Sequence, residues 1–445
     1  MLPRGQILLE TVKPRITRES VASDVGEVRS GGLATTTVAP AISMLVVAYR
    51  ETDSLLRLLR TLAAAANTGV SCEIILVDNG LQPDIVAAAL PLIHQYVKCQ
   101  RNVGCSQGRN VGAAFCQAPL VAFVDADAEV DADYVEACIR ALDDATLLAV
   151  RGRVVPRAPG GQLPTHYDLG PVAGRAPIAA EGASVWHTAP FCDAGGFEAS
   201  LYGREGPVLC YRMHLLFGAS ASAFGYAPSI VLRHDYFESP QHLQSKLERN
   251  ARIIDQVDRA YPMLRGFLAE FPAFGAKKRA ALPVQVRSQA AHAKIRWLHR
   301  AATDAPLPVE PVAVHITSES STDRARKCLA QQTVACAHVG EPGSSRLPAN
   351  CTWQITVGGD DWLHPTLIER IGNVFRQYAD VATIEIPRRG SKEMLRATRV
   401  DGASARTLTL APPPVLIATH APAEARVFDL AQRALGAFST LRSRR

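Results

Sequence analysis

Leu120-Val121-Ala122-Phe123-Val124-Asp125-Ala126-Asp127-Ala128-Glu129 joins an apolar run of strand length to two carboxylates at i and i+2. Strand side chains alternate faces, so two acids at a strand's carboxyl end can lie on one side and reach one cation. Hard cations such as Mg²⁺ and Mn²⁺ prefer carboxylate oxygens and share them with substrate phosphates. Asp-x-Asp also occurs in ordinary solvated turns, so the pattern takes its meaning from what surrounds it.

Upstream, Ile42-Ser43-Met44-Leu45-Val46-Val47-Ala48 is a buried strand by composition. Asp53 can cap a helix over 54–65 with Leu55, Leu58, Leu59 and Leu62 on one face. Cys72-Glu73-Ile74-Ile75-Leu76-Val77 reads as a second strand and ends in Asp78-Asn79-Gly80. A helix near 84–96, a short strand at 96–100, a Gly/Asn-rich turn and a helix over 109–116 lead into the opening strand. Beyond it come a helix from 133 to about 142, a strand over 149–155 and a strand over 229–233. Between the last two lies a Pro/Gly-rich stretch at 156–182, the kind of long loop that serves as a lid or binding loop. Strands alternating with helices predict an α/β fold, a mainly parallel sheet with helices on both faces. Ligands of such sheets bind beyond the strand carboxyl ends, where Asp78, Asp125 and Asp127 all stand.

A chain of 445 residues predicts two domains. It is 47% hydrophobic and 20% charged, the balance of a globular protein. The ten cysteines form no Cys-x-x-Cys pair, which argues against a disulfide framework or structural zinc and for reduced thiols in a cytoplasmic protein. No apolar run approaches the ~18 residues of a membrane span, and the N-terminus leads into no signal-peptide core. Residues 1–40, poor in large apolar side chains, are expected to form a flexible arm. Net charge is +6, with seven Lys/Arg and no acid between Lys277 and Arg300. That segment is either a solvated helix face or a patch for peripheral contact with the inner face of the cell membrane. No nucleic-acid partner is expected.

The remaining chain divides into a domain over 41–240, a helical segment over 241–304 ending in a Pro-rich linker near 305–311, and a smaller α/β domain over 305–445. The last part repeats the first domain's order. A strand over 312–316 and a helix over 322–330 are followed by a strand over 351–357. That strand ends in Gly358-Gly359-Asp360-Asp361; Pro365 then opens a helix, and a strand over 381–387 closes the set. Either this is a degenerate second copy, with Asp360 on Asp127, or two α/β patterns coincide.

Four segments belong together: Val47-Ala48-Tyr49-Arg50-Glu51; Ile75-Leu76-Val77-Asp78-Asn79-Gly80; Arg101-Asn102-Val103-Gly104 with Gly108-Arg109-Asn110-Val111-Gly112; and Phe123-Val124-Asp125-Ala126-Asp127. In this order and spacing the chain resembles the family 2 glycosyltransferases, which have the GT-A fold, over about residues 42–240. The resemblance implies an enzyme that takes a nucleotide-sugar donor, probed first as a UDP-sugar, and passes the sugar to a hydroxyl with inversion. It implies donor contacts from Ala48, Tyr49, Glu51, Asp78, Asn102, Gly104, Arg109, Asn110, Asp125, Ala126 and Trp186. It also implies Mn²⁺ or Mg²⁺ held by Asp125, Asp127 and His234. Gly104 and Gly112 would let backbone and helix approach the ligand. The bland readings stay open: Asp78-Asn79-Gly80 is strong turn chemistry, Tyr49 and Trp186 are also packing residues, and Arg109 is also a structural ion-pair partner.

Cys192-Asp193-Ala194-Gly195-Gly196-Phe197-Glu198 is similar to the family's Gly-Gly-Phe segment. After it, Glu205-Gly206 stands where the family usually has two acids, the second often taken as the base; Gly206 replaces that second acid. Inverting transfer needs a base for the acceptor hydroxyl. Glu205 is the candidate and Asp193 the reserve, unless Glu205 only braces the loop. The acceptor is a glycan, a lipid-linked species or a peptide, and a role in polysaccharide or cell-envelope synthesis follows from the family alone. The second α/β domain, without a partner for Asp78, is expected to bind acceptor or to form a homodimer. The rival readings are an inactive donor-binding scaffold and a nucleotidyltransferase. Against the nucleotidyltransferase, Tyr49-Arg50-Glu51 stands where a Gly-rich loop would be needed.

Overall fold

In a computed structural model, the described residues are 13–33, 39–66, 71–158, 161, 163–164, 166–235, 240–272, 307–317, 323–330, 332, 334–340, 347, 349–359, 361–364, 366–378, 380–389, 394–400, 406–410 and 417–418. They fall into two compact units. One comprises the described residues within Glu10–Lys246 and Phe267–Val284; the other comprises those within Leu247–Gly266 and Gln285–Arg445.

In chain order the first unit contains β1 (Val25–Ser30), β2 (Ile42–Ala48), α1 (Asp53–Ala66), β3 (Cys72–Asp78), α2 (Pro83–Ala89), β4 (Gln95–Cys99), α3 (Cys105–Ala113) and β5 (Leu120–Asp125). There follow β6 (Glu129–Val130), α4 (Tyr134–Arg140), β7 (Ala149–Val155), β8 (Gly174–Arg175), β9 (Ala183–His187), α5 (Thr188–Asp193), α6 (Glu205–Phe217) and β10 (Phe224–Arg233). The sheet runs β1-β4-β3-β2-β5-β9-β7-β10-β6, with β8 on β10. Its centre is parallel, β4 through β5, and β9 enters antiparallel between β5 and β7. The mixed, mainly parallel α/β class read from the sequence is the class observed.

Burial explains the centre. Every residue of β3, and all of β2 except Val47, is buried, as expected where helices cover both faces. α1 turns Leu55, Leu58, Leu59 and Leu62 onto this core. α3 lies close on the sheet because residue 112 is glycine: a β-carbon there would sit 2.5 Å from Leu45 Cδ1 and 2.8 Å from Val77 Cγ2. Gly112 therefore serves helix–sheet packing, not the approach of a ligand. Register places the site: Ala48 pairs with Asp78 and Val47 with Asp125, so both acids reach the same carboxyl edge.

Over its described residues 13–33, the expected N-terminal arm is corrected. β1 pairs antiparallel with β4 over Val25–Ser30, Ile16 and Val21 are buried, and Lys13 Nζ lies 2.7 Å from Glu198. The strand joins through its backbone ladder while nearly all its side chains stay exposed, so hydropathy carries no sign of it.

The second unit contains most of α7 (Pro240–Ala260) and the start of α8 (Leu264–Ala269), then β11 (Leu307–Ile316), α9 (Asp323–Ala330), β12 (Val334–Gly340), β13 (Trp353–Val357) and β14 (Trp362–Leu363). It closes with α10 (Leu367–Gln377), β15 (Val381–Arg389), β16 (Met394–Arg399), β17 (Arg406–Thr409) and β18 (Ile417–Ala418). The expected separate helical segment is thus divided. The Asn373 and Gln377 side chains donate to the carbonyls of Arg259 and Ala260, each at 2.7 Å, and tie the end of α7 to α10. The expected linker near 305–311 is largely the start of β11. The basic stretch 277–300 lies outside the described residues.

The second sheet runs β12-β11-β13-β16-β15-β18-β14, with β17 on β15. Setting β1 and β4 aside, the first sheet reads β3-β2-β5-β9-β7-β10-β6. The seven strands match in chain order and in every relative direction, down to the antiparallel strand after the third position and the two-residue strand at the far edge. Aligning β6 with β14 sets Asp127 on Asp360, outside the described residues, and Ala128 on Asp361. Asp361 is sealed in the interior, paired with Arg388 and accepting from Gly358 N at 2.8 Å.

Candidate donor site

Asp125 ends β5, and Asp127 lies in the turn that leads to β6. Their partners differ. Asp125 Oδ1 accepts from Arg109 Nη2 at 2.8 Å, and Asp127 Oδ2 lies 3.0 Å from His234 Nε2. Both carboxylates are about a third exposed, at 36%. Burial pushes the Asp127 carboxyl up, but the His234 hydrogen bond and charge, with Arg157, bring it below its ordinary value. For His234 burial works the other way, and the Asp127 hydrogen bond and charge overcome it, leaving the imidazole above its ordinary value.

Arg109 is the hub behind this edge. Its side chain is 8% exposed, and its Nη1 reaches Glu205 Oε1 at 3.2 Å. Burial opposes its charge, but Cys105, Asp125, Glu205 and Glu181 around it hold the guanidinium protonated. Glu205, the first residue of α6, is buried and also accepts from Gly203 N at 2.6 Å and Ser106 Oγ at 3.3 Å. Three donors in a closed setting give it the bracing role.

Other residues expected at the donor site have partners within the fold. Asn110 is buried and clamps Phe197, donating to its carbonyl and accepting from its N–H, both at 2.8 Å. Asp78 is 2% exposed and caps its own turn, accepting from Gly80 N at 2.8 Å and Leu81 N at 2.6 Å, with the Tyr96 hydroxyl on its other oxygen. Trp186 is wholly buried against Phe191 and Phe197, and its indole N–H donates to Ser184 Oγ at 2.9 Å; it is core, not pocket wall. Ala48 and Ala126 are buried too, and the Ala48 carbonyl takes the Asn79 N–H.

Tyr49 does face outward, 42% exposed, with the Arg50 guanidinium 5.0 Å from its ring centre. Glu51 accepts from Ser54 Oγ at the start of α1. Asn102 is exposed and accepts from Gly104 N at 2.9 Å. Asp193 pairs with Arg15 at 2.9 Å and shares no described partner with Asp125, Asp127 or Glu205.

Sequence reasoning passed over Glu181. It sits at the end of the Pro/Gly-rich stretch, and its Oε1 accepts from Gly206 N at 2.9 Å. Nothing in its neighbourhood, Ala180-Glu181-Gly182, marks it as chemical. Arg50 and Arg204 were also missed. Both hold left-handed backbone, φ 58° and 64°, the first just after β2 and the second just before α6. Such strain in non-glycine residues gathers at functional sites.

The donor set suits a hard divalent cation. A carboxylate and an imidazole stand side by side at the carboxyl edge, and both ligand types serve Mn²⁺. Among the described residues no group of three metal-ligating side chains converges, so the expected set of Asp125, Asp127 and His234 is not assembled: Asp125 turns to Arg109 and only Asp127 meets His234.

Residues 43–198 match the family model described as "Glycosyl transferase family 2", and this part of the chain is a family 2 glycosyltransferase domain. Relatives include a pre-mycofactocin glycosyltransferase of Mycobacterium tuberculosis, 26% identical over 146 residues, 30% of each chain. Another is the putative glycosyltransferase EpsH of Bacillus subtilis, 30% identical over 115 residues, 25% of this chain and 33% of that one. The match spans about a third of the length of these curated relatives. Among solved structures, a mannosyltransferase of Pyrobaculum calidifontis in complex with GDP-Man and Mn²⁺ is 15% identical with a TM-score of 0.41, covering 62% of this chain and 80% of that one. Among the described residues, no helix is long and apolar enough to cross a membrane.

Proposed function

We propose that the protein is a metal-dependent inverting glycosyltransferase that moves a sugar from a nucleotide diphosphate donor, a UDP-sugar in the first instance, to a hydroxyl acceptor. The observation that carries this reading is the Asp127–His234 pair beside the Arg109–Asp125 ion pair, at the strand carboxyl edge where ligands of α/β sheets bind. Asp127 and His234 would hold the cation, which supplies positive charge to the diphosphate leaving group. Asp125, fixed by Arg109, presents its second oxygen to the donor. The exposed ring of Tyr49 offers a face for the base, and Arg109 keeps the acids behind it ordered. Acceptors in cell-envelope or polysaccharide synthesis fit the family; glycan, lipid-linked and peptide hydroxyls share the chemistry.

The second unit is read as a degenerate copy without transfer activity, serving acceptor binding or dimerisation. Its matching strand order supports this, as does the burial of Asp361 under Arg388, which removes an acid from the edge a donor would need.

Titrating UDP-sugars and GDP-sugars with and without Mn²⁺, and assaying free nucleoside diphosphate, tests the main reading. Mn²⁺-dependent release supports it. Tight binding with no release favours the alternative, an inactive donor-binding scaffold, for which Gly206 in place of an acid is the specific observation.

A further inference from the structure

We propose that Glu181 supplies the base carboxylate that position 206 lacks, and that Glu205 is a positioning residue. The inference rests on the transferase reading above.

The carboxylate of Glu181 occupies the space into which a side chain at 206 would project. A β-carbon on Gly206 would stand 3.0 Å from Glu181 Oε1, 3.1 Å from its Cγ and 2.0 Å from the Ile178 carbonyl oxygen. With this backbone no acid fits at 206. The Gly206 amide instead points at Glu181 and holds it at 2.9 Å.

The same segment runs along the donor edge. Asp125 N donates to the Gly182 carbonyl at 3.1 Å, and a β-carbon on Gly182 would fall within 2.1 Å of the Asp125 carboxylate atoms. Glycine at 182 thus brings Glu181 one residue from the aspartate at the end of β5. Glu205 is consumed by Arg109, Ser106 and Gly203, whereas the Glu181 carboxylate is held by backbone N–H groups, that of Gly206 and its own, and pairs with no cation within salt-bridge distance among the described residues. Glu181 is mostly buried but keeps some solvent exposure.

Its acidity suits the task. Burial and the negative charge of Glu205 push Glu181 up to about 7, against the pull of Arg109 and the Gly206 N–H. A base works best with a pKa near the operating pH. Arg151, Cys105 and Cys210 complete the titratable groups that feel it.

In the step, the acceptor oxygen bonds to the anomeric carbon as the bond from that carbon to the diphosphate oxygen breaks. The diphosphate leaves with the electron pair, and the hydroxyl proton passes to Glu181.

The test compares wild type, Glu181→Gln and Glu205→Gln with Mn²⁺ and whichever UDP-sugar the wild type turns over. Free UDP is read across pH 5–9, and UDP–Mn²⁺ affinity by calorimetry. Glu181→Gln is expected to lower kcat about 100- to 10,000-fold, leave the affinity within twofold, and abolish the fall in rate below about pH 7. Glu205→Gln is expected to shift that fall to lower pH, because it removes the charge that raises Glu181. A Glu181→Gln enzyme with wild-type kcat and pH profile overturns this inference and leaves the transferase reading standing. A wild type that releases no UDP from any donor overturns both. Should Glu181→Gln fail to fold, Glu181→Asp, which withdraws the carboxylate by one methylene, must show the kcat loss; unchanged kcat there overturns the inference.

Discussion

His234 Nε2 lies 3.0 Å from Asp127 Oδ2, although 107 residues separate them. The contact forms because β10 runs parallel to β7 and ends where β6 folds back on it, Leu232 facing Val130 and Arg233 facing Glu129. Residues on either side of that short ladder, Asp127 and His234, are thereby brought together.

Asp127→Ala is therefore expected to abolish Mn²⁺-dependent nucleotide release while the fold stays intact. The change removes a one-third-exposed charge and no core volume, so stability should fall by no more than about 1 kcal/mol, the bound on its ion pair with His234. Release assays and thermal melts check both halves. Full turnover in this variant would sink the donor-site assignment.

The pair also predicts a pH window in the metal-free protein. Asp127 is lowered from 3.8, so its contribution is present above that value and is lost as pH falls. His234 is raised from 6.5, so its contribution is present below that value and is lost as pH rises through the raised one. The coupling in an Asp127→Asn/His234→Gln double-mutant cycle should be largest between about pH 4 and 6.5 and shrink on either side. Solvent keeps it below about 1 kcal/mol. A coupling flat from pH 3 to 9 would show that the contact is not an ion pair.

The sheet was legible because its strands are apolar runs buried on both faces, as in Ile42–Ala48 and Cys72–Asp78. β1 was not, because Val25–Ser30 joins an edge through backbone alone. At the site, Asp125, Asp127, Arg109 and His234 could be read from motif order. Asn110 and Asp78 sit in the same motifs, yet their polar atoms are spent on Phe197 and on a turn. A motif names residues near a ligand and cannot separate those that touch it from those that shape the loop. Glu181 belongs to no motif; its place depends on Gly206 and Gly182, two absences of side chain at distant points in the chain.

Arg109→Ala should be among the most damaging single changes in the first unit. It strands Glu205, whose side chain is 5% exposed, beside Asp125 and Glu181. Removing one partner of a buried pair costs about 3–5 kcal/mol. Arg109→Lys keeps the charge but cannot reach Asp125 and Glu205 together from a planar fork. It should fall between wild type and Arg109→Ala in urea unfolding. Equal stability of all three proteins would remove Arg109 as the hub.

Asp361→Ala is expected to destabilise the second unit without changing UDP–Mn²⁺ affinity. Asp361 is fully buried and answers the Arg388 charge, so its loss breaks a buried ion pair, again at about 3–5 kcal/mol. Calorimetric titration of the variant with UDP and Mn²⁺ is the check. A large loss of affinity would place a donor site in the second unit.

Glu181→Gln should make the protein more stable at alkaline pH, whatever it does to catalysis. The folded-state value of about 7 lies above the ordinary 4.5. A group raised in this way favours the folded state fully below its unfolded pKa, and that contribution is lost as pH rises through the folded pKa. Wild type must therefore weaken relative to the variant between about pH 4.5 and pH 7 and stay weaker above it. The cause is physical: at pH 8 the wild type holds three carboxylates, Asp125, Glu205 and Glu181, around one arginine, whereas a glutamine at 181 still accepts the Gly206 N–H and adds no charge. Melting temperatures of the two proteins at half-unit steps from pH 4 to 8.5 measure this directly. The difference should be smallest near pH 4 and favour the variant above pH 7. A difference independent of pH would mean that Glu181 titrates like an ordinary surface acid, and the crowding of charge around Arg109 would have to be abandoned with it.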